Sequence, residues 1–120
     1  MEAFLDMAKA LADGNRVRVV GALRRHEELC VCRIVELLRL ATPTVSRHMA
    51  VLHGARLVTS RKEGRWVYYR LSTEFPVQLR KWIEVSLLDA EQIKADQVVL
   101  ANILASSAED LCKNQKERKD

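Results

Sequence analysis

Apolar residues recur at helical spacing from the start of the chain. Phe4, Leu5, Ala8, Leu11 and Ala12 share one side of a predicted helix over residues 3–12, which Asp13-Gly14-Asn15 interrupts as a turn. Val17, Val20 and Leu23 then repeat at three-residue steps beside Val19, while Arg16, Arg18, Arg24 and Arg25 stay polar, predicting a second amphipathic helix that ends near His26. A third is predicted from about Val31 to Leu40, with Ile34, Leu37 and Leu38 facing inward. Thr42-Pro43 reads as a helix start, because the threonine oxygen can accept from an unpaired amide and proline gives up an N–H that had no partner. The fourth helix covers about Pro43 to His53, with Val45, Met49 and Leu52 on its apolar side and Gly54 at its end.

The period then changes from helical to alternating. Between Val58 and Leu71, Arg65, Val67, Tyr69 and Leu71 fall on one face and Trp66, Tyr68 and Arg70 on the other, and Lys62-Glu63-Gly64 supplies a tight turn. A two-stranded hairpin is predicted. Pro76 opens a helical stretch to about Leu111, either continuous or as two helices broken near Asp89, and the tail KNQKERKD has no apolar residue to bury. The expected fold is therefore mainly α with a two-stranded β hairpin, as one domain over residues 1–112 followed by a disordered tail over 113–120.

At 120 residues the chain buries a limited share of its surface, so its apolar first and last helices are expected to pair with a second copy as a homodimer. No apolar run approaches the roughly 18 residues of a membrane span, and MEAFLDMAKALAD carries acids where a secretory leader carries bases. A cytoplasmic protein without a membrane partner is expected. Charge is unevenly distributed: residues 1–29 are neutral overall, residues 30–71 carry a net +6, and residues 72–120 carry a net −2. The basic middle third predicts a polyanionic partner.

Two short helices separated by a brief turn and followed by a basic hairpin outline a winged helix-turn-helix, whose second helix has the width to enter a major groove. Thr44, Ser46, Arg47 and His48 face away from Val45, Met49 and Leu52 and are the candidate readers of double-stranded DNA. Arg61, Lys62 and Arg65 at the hairpin are candidate contacts to the adjacent backbone or minor groove. The stretch ELCVCRIVELLRLATPTVSRHMAVLHGARLVTSRKEGRWVYYRL resembles the core of the ArsR/SmtB family of winged-helix repressors, and LADGNRVRVVGAL resembles that family's opening pattern. The resemblance spans roughly residues 5–75 and implies a homodimer on an inverted-repeat operator. Within it, Arg39 and Ala41 stand where a turn glycine and a capping serine are common, and Gly14 replaces a usual proline.

Three cysteines, Cys30, Cys32 and Cys112, are an odd number in a chain with no predicted leader, which favours reduced thiols over a disulfide framework. Soft thiolates select thiophilic ions, and two thiols with no His or carboxylate beside them suit a metalloid better than four-coordinate zinc. The E-L-C-V-C run resembles the arsenic-responsive members of the family, which implies arsenite or antimonite as inducer at Cys30 and Cys32; Arg33 stands where their pattern carries an acid. Residues i and i+2 of a helix lie about 200° apart, so clasping one ion is expected to distort the first turn of the third helix and displace the fourth. The third sulfur stays open between Cys112, from the same or the partner chain, and a small thiol or hydroxide. Cadmium, lead or thiol oxidation are the alternative signals. The family's zinc site on the last helix uses Asp and His, and no His follows His53. A thiol enzyme would call for C-x-x-C in a βαβ setting, which the chain lacks, so neither catalysis nor a required cofactor is expected.

Overall fold

The computed structural model of the chain describes residues 1–87, 90–107, 110–112 and 115. Its elements run α1 (Glu2–Ala10), α2 (Gly14–Arg25), β1 (Leu29–Cys30), α3 (Val31–Leu38), α4 (Thr42–Gly54), β2 (Val58–Glu63), β3 (Trp66–Leu71), α5 (Val77–Leu87) and α6 (Glu91–Leu104). The anticipated break in the last helical stretch falls between Leu87 and Glu91, with Asp89 itself outside the described residues. Of the charged tail at 113–120 only Gln115 is described, so the expectation of disorder there lies outside the described residues.

Local chemistry sets the helix ends. Asp13 caps α2, its carboxylate accepting from the Asn15 and Arg16 amides at 2.8 and 3.2 Å. At α4 the first helical residue is Thr42 itself and the cap is Ala41, so the side-chain cap expected from Thr42 is not made; Pro43 still sits in the first turn, where its missing N–H costs nothing. α3 ends two residues earlier than expected because Arg39 takes the left-handed conformation, φ 56° and ψ 39°, while its amide bonds the Val35 carbonyl. α4 closes the same way at Arg56, φ 63°, with the Leu57 amide reaching back to the Leu52 carbonyl at 3.0 Å.

Sheet topology adds something the alternation could not show. The hairpin pairs Val58 with Leu71 through Glu63 with Trp66, leaving Gly64 and Arg65 as a two-residue loop in which Gly64 supplies the positive φ of 61°. β1 then adds a third antiparallel strand in the order β1-β3-β2, placing Leu29 opposite Tyr69 and Cys30 opposite Tyr68. A two-residue strand has no periodicity to read.

The core gathers Val19, Val20 and Leu23 of α2, Ile34 and Leu38 of α3, Val45, Met49 and Leu52 of α4, and Leu100 and Ile103 of α6. α6 lies close against α2, where a Cβ added at Gly21 would stand 3.1 Å from the Ile93 side chain. An ion pair fixes that approach: the Arg18 guanidinium donates to both carboxylate oxygens of Asp96 at 2.9 and 3.0 Å, and Gln92 donates to the same carboxylate. Arg18 also reaches the Asn15 side chain and the Leu37 carbonyl, tying α6 and α2 to the last turn of α3. Asp96 is 8% exposed, so its charge is tolerated only because these partners satisfy it.

A non-glycine residue in the left-handed region carries a steric cost of about 1 kcal/mol. Arg39→Gly is therefore expected to raise stability by a few tenths to about 1 kcal/mol, the relief being offset in part by glycine's unfolded-state freedom and the lost Arg39–Glu36 ion pair. Denaturant unfolding reads this directly as a shift in midpoint at constant slope.

Candidate nucleic-acid interface and thiol site

α3, the left-handed turn at Arg39 and α4 form the helix-turn-helix, and burial fixes how α4 sits. Val45, Met49 and Leu52 have no exposed surface. The opposite side of α4 therefore faces outward, with Ser46 and Arg47 exposed and Thr44 and His48 half-buried at its flank. Arg47 donates to the Thr44 hydroxyl at 3.2 Å, so these two candidates act as a pair. His48 is held from below, its Nδ1 lying 3.1 Å from Arg16 Nη1.

The hairpin residues divide. Lys62 and Arg65 are exposed at the wing, Arg65 over the Trp66 ring at 5.5 Å. Arg61 is committed elsewhere: it donates twice to Glu28 at 2.7 and 2.6 Å, once to Glu63 at 2.8 Å, and lies 4.4 Å over the Tyr68 ring. The Glu28 hydrogen bonds, reinforced by Glu63, hold the Arg61 guanidinium above its ordinary pKa. Reciprocally, the Arg61 hydrogen bonds hold the Glu28 carboxyl below the usual carboxylate range. Arg61 thus fastens the wing to the segment that leads into Cys30, a role its basic charge alone did not indicate.

The cysteines lie at the other end of that segment. Cys30 is at once the last residue of β1 and the cap of α3, in extended conformation with φ −74° and ψ 154°. Only Cys32 belongs to the helix, in keeping with its expected start at about Val31, so the helical i, i+2 separation does not describe the pair: it straddles a strand-to-helix junction. Both are buried, 1% and 4% exposed. Cys112, 80 residues from Cys32 in sequence, is joined to it in a disulfide with Cα atoms 5.4 Å apart, while Cys30 is a free thiol. Nothing local in the sequence signals this approach, whose reason is long-range: Leu111 packs against the core and Gln115 donates to the Cys32 carbonyl at 2.7 Å, folding this part of the chain onto α3. Arg33 stands beside this pair and donates to the Ser106 carbonyl at 3.4 Å. Among the described residues no three His, Cys, Asp or Glu side chains gather at metal-binding spacing. The sulfur ligands for one ion would therefore have to be drawn together.

A helix-turn-helix supported by packed helices and flanked by a basic β wing defines a winged-helix DNA-binding transcriptional regulator. The family described as bacterial regulatory protein, arsR family, matches residues 13–60. The chain is 41% identical over 87 residues to the arsenic resistance transcriptional regulator ArsR1 of Pseudomonas putida, a match that covers 70% of this chain and 65% of that one. It is 38% identical over 95 residues to the arsenical resistance operon repressor of Escherichia coli, covering 79% of this chain and 80% of that one. Its structure is similar to that of reduced HlyU from Vibrio cholerae, with TM-score 0.62 and 28% identity over 75% of this chain and 92% of that one. The chain belongs to the ArsR family.

Because Glu28 and Arg61 join β1 to the wing, Glu28→Gln is expected to loosen the hairpin without unfolding the core. Backbone relaxation of the Lys62–Trp66 tip reads the change, and an unaltered tip would show that the β1–β3 pairing alone holds it.

Proposed function

We propose that this chain is a homodimeric repressor that holds an inverted-repeat operator with α4 and the wing and releases it when trivalent arsenic or antimony binds its cysteine thiolates. The observation that carries this reading is the position of Cys30 and Cys32. One ends a strand paired with the wing, and the other begins the helix on which α4 packs. Thr44, Ser46, Arg47 and His48 supply the groove contacts, Lys62 and Arg65 the flanking phosphate contacts, and Arg61 holds the wing in place.

Cys30 and Cys32 fit a thiophilic ion by chemistry, and Cys112 is the third sulfur from the same chain, once two equivalents of a small cellular thiol have reduced its bond to Cys32 and left as their own disulfide. Trivalent arsenic exchanges its hydroxyls for sulfur, each bond releasing one water. Drawing the Cys30 sulfur toward the other two pulls on the β1–α3 junction, so β1 leaves its register with Tyr68 and Tyr69 and the first turn of α3 shifts beneath α4. A coupling of about 1 to 3 kcal/mol would lower operator affinity roughly 5- to 150-fold. No described helix is long and apolar enough to cross a membrane.

The dimer reading rests on an uncovered apolar face. Phe4 is 71%, Trp82 68%, Val85 83% and Val98 66% exposed, on α1, α5 and α6. A face of this kind is what a second copy of the chain would bury. Trp82→Glu is expected to give a monomer by sedimentation and, with it, loss of tight operator binding.

The Cys32–Cys112 disulfide favours a second reading in which oxidation of these thiols is the signal. One titration separates the two: protein on operator DNA, reduced or oxidised, challenged with arsenite, antimonite, cadmium, zinc or peroxide. Arsenite is expected to release the reduced protein and to fail on the oxidised one, on Cys30→Ser and on Cys32→Ser, all of which still bind DNA. Cys112→Ser should need about tenfold more arsenite. Release by peroxide or cadmium with no response to arsenite would establish the alternative.

A further inference from the structure

Arg16 occupies a junction that nothing in the helix-turn-helix outline requires. It sits in the first turn of α2, and its side chain is 17% exposed. Nε donates to the Ala10 carbonyl at 2.6 Å, and Nη2 donates at 3.2 Å to the Lys9 carbonyl, which also accepts the Ala12 amide, so Arg16 closes the end of α1. Asp13, the cap of α2, lies 3.9 Å from Nη1. The same Nη1 meets His48 Nδ1 on α4 at 3.1 Å.

The chemistry of that last contact has one solution. A guanidinium has no acceptor, so Arg16 donates and Nδ1 must accept. An imidazole whose Nδ1 accepts is neutral and carries its proton on Nε2. We propose that Arg16 is a positioning residue of the DNA-reading surface: it holds His48 as the neutral Nε2–H tautomer and so fixes what that side chain offers to DNA. His48 then presents a single donor, suited to a guanine O6, a purine N7, a thymine O4 or a phosphate oxygen, and unable to accept from the amino groups of cytosine or adenine. Arg16 also binds α4 to the end of α1, so the reading helix is referenced to the helix that carries the apolar face.

Among the described residues, the charged groups shown against the ring are Arg16 and Asp13, both from the start of α2. Burial raises the Asp13 carboxyl, but the Arg16 and Asn15 amides outweigh it and bring it below its ordinary value; the attraction of this anion to His48 acts only on a protonated ring and so opposes the Arg16 contact. Its position steadies Arg16. Protonation of His48 would place an N–H on Nδ1 against the guanidinium and break the tie, so DNA binding is expected to weaken as pH falls. A His48 that instead served as an imidazolium clamp on phosphate would strengthen binding over the same range. The two accounts differ in sign.

The proposal rests on α4 being the groove-entering helix, and the experiment separates the two. Affinity is measured from about pH 8 down to about pH 5.5, using a duplex selected by the wild-type protein from a random-sequence library. Wild type is compared with His48→Asn, whose side-chain oxygen can accept near the Nδ1 position without titrating, and with His48→Ala. At high pH His48→Ala is expected to bind about tenfold more weakly and His48→Asn to recover only the part of that loss that comes from the tie to Arg16. On acidification the wild type should lose affinity relative to His48→Asn, by up to tenfold per pH unit for one proton. A ratio that stays flat, or that moves in favour of the wild type, overturns the proposal. Arg47→Ala distinguishes the failures: if it binds like the wild type, α4 is not the reader and both ideas fall, whereas weakened binding beside a flat ratio removes only the role of Arg16.

Discussion

The backbone from Leu29 to Val31 must serve two structures at once, and the rest of the molecule is arranged around that demand. Its strand half needs extended geometry and the amide ladder to Tyr68 and Tyr69. Its helix half needs the first turn of α3 to start in the very next residue. Cys30 satisfies both by standing as strand end and helix cap. No loop intervenes to absorb a displacement, so a force applied at this junction is passed to the wing on one side and to the support of α4 on the other.

Neighbouring interactions keep the junction stiff. Arg61 bridges Glu28 and Glu63, fastening the strand's approach to the hairpin. Arg18, paired with Asp96 and bonded to the Leu37 carbonyl, pins the far end of α3 to α2 and α6. With both ends held, a change at Cys30 and Cys32 is resolved by moving the middle. The position of α6 brings a further consequence, since the chain beyond it returns to α3 and sets Cys112 against Cys32. The sulfur chemistry of the molecule is thus concentrated on its least accommodating stretch of backbone.

Much of this was legible from residues alone, where the signal is local. The periods of α1 to α4, the alternation of the wing, and the basic middle third reflect rules that act over a few residues, and the structure follows them. What sequence could not deliver are relations between distant positions. β1 is too short for a period, and only its pairing with β3 makes it a strand. The approach of Cys112 to Cys32 depends on how Leu111 packs, and the partners of Arg16, Arg18 and Arg61 are 32, 78 and 33 residues away. Three arginines that read equally as surface cations prove to be a tether, a clamp and a fastening. The end of α3 was misplaced for a different reason: Arg39 adopts a conformation that its side chain disfavours, and tertiary packing prevails over that preference.

The most direct test of the account is amide hydrogen exchange in the reduced protein, before and after one equivalent of arsenite. Exchange should accelerate at Leu29, Cys30, Tyr68 and Tyr69 and in the first turn of α3, while α2 and α6 keep their protection. If arsenite releases operator DNA and those amides remain as protected as before, the junction is not the part that moves, and the proposed link between sulfur chemistry and DNA release is wrong.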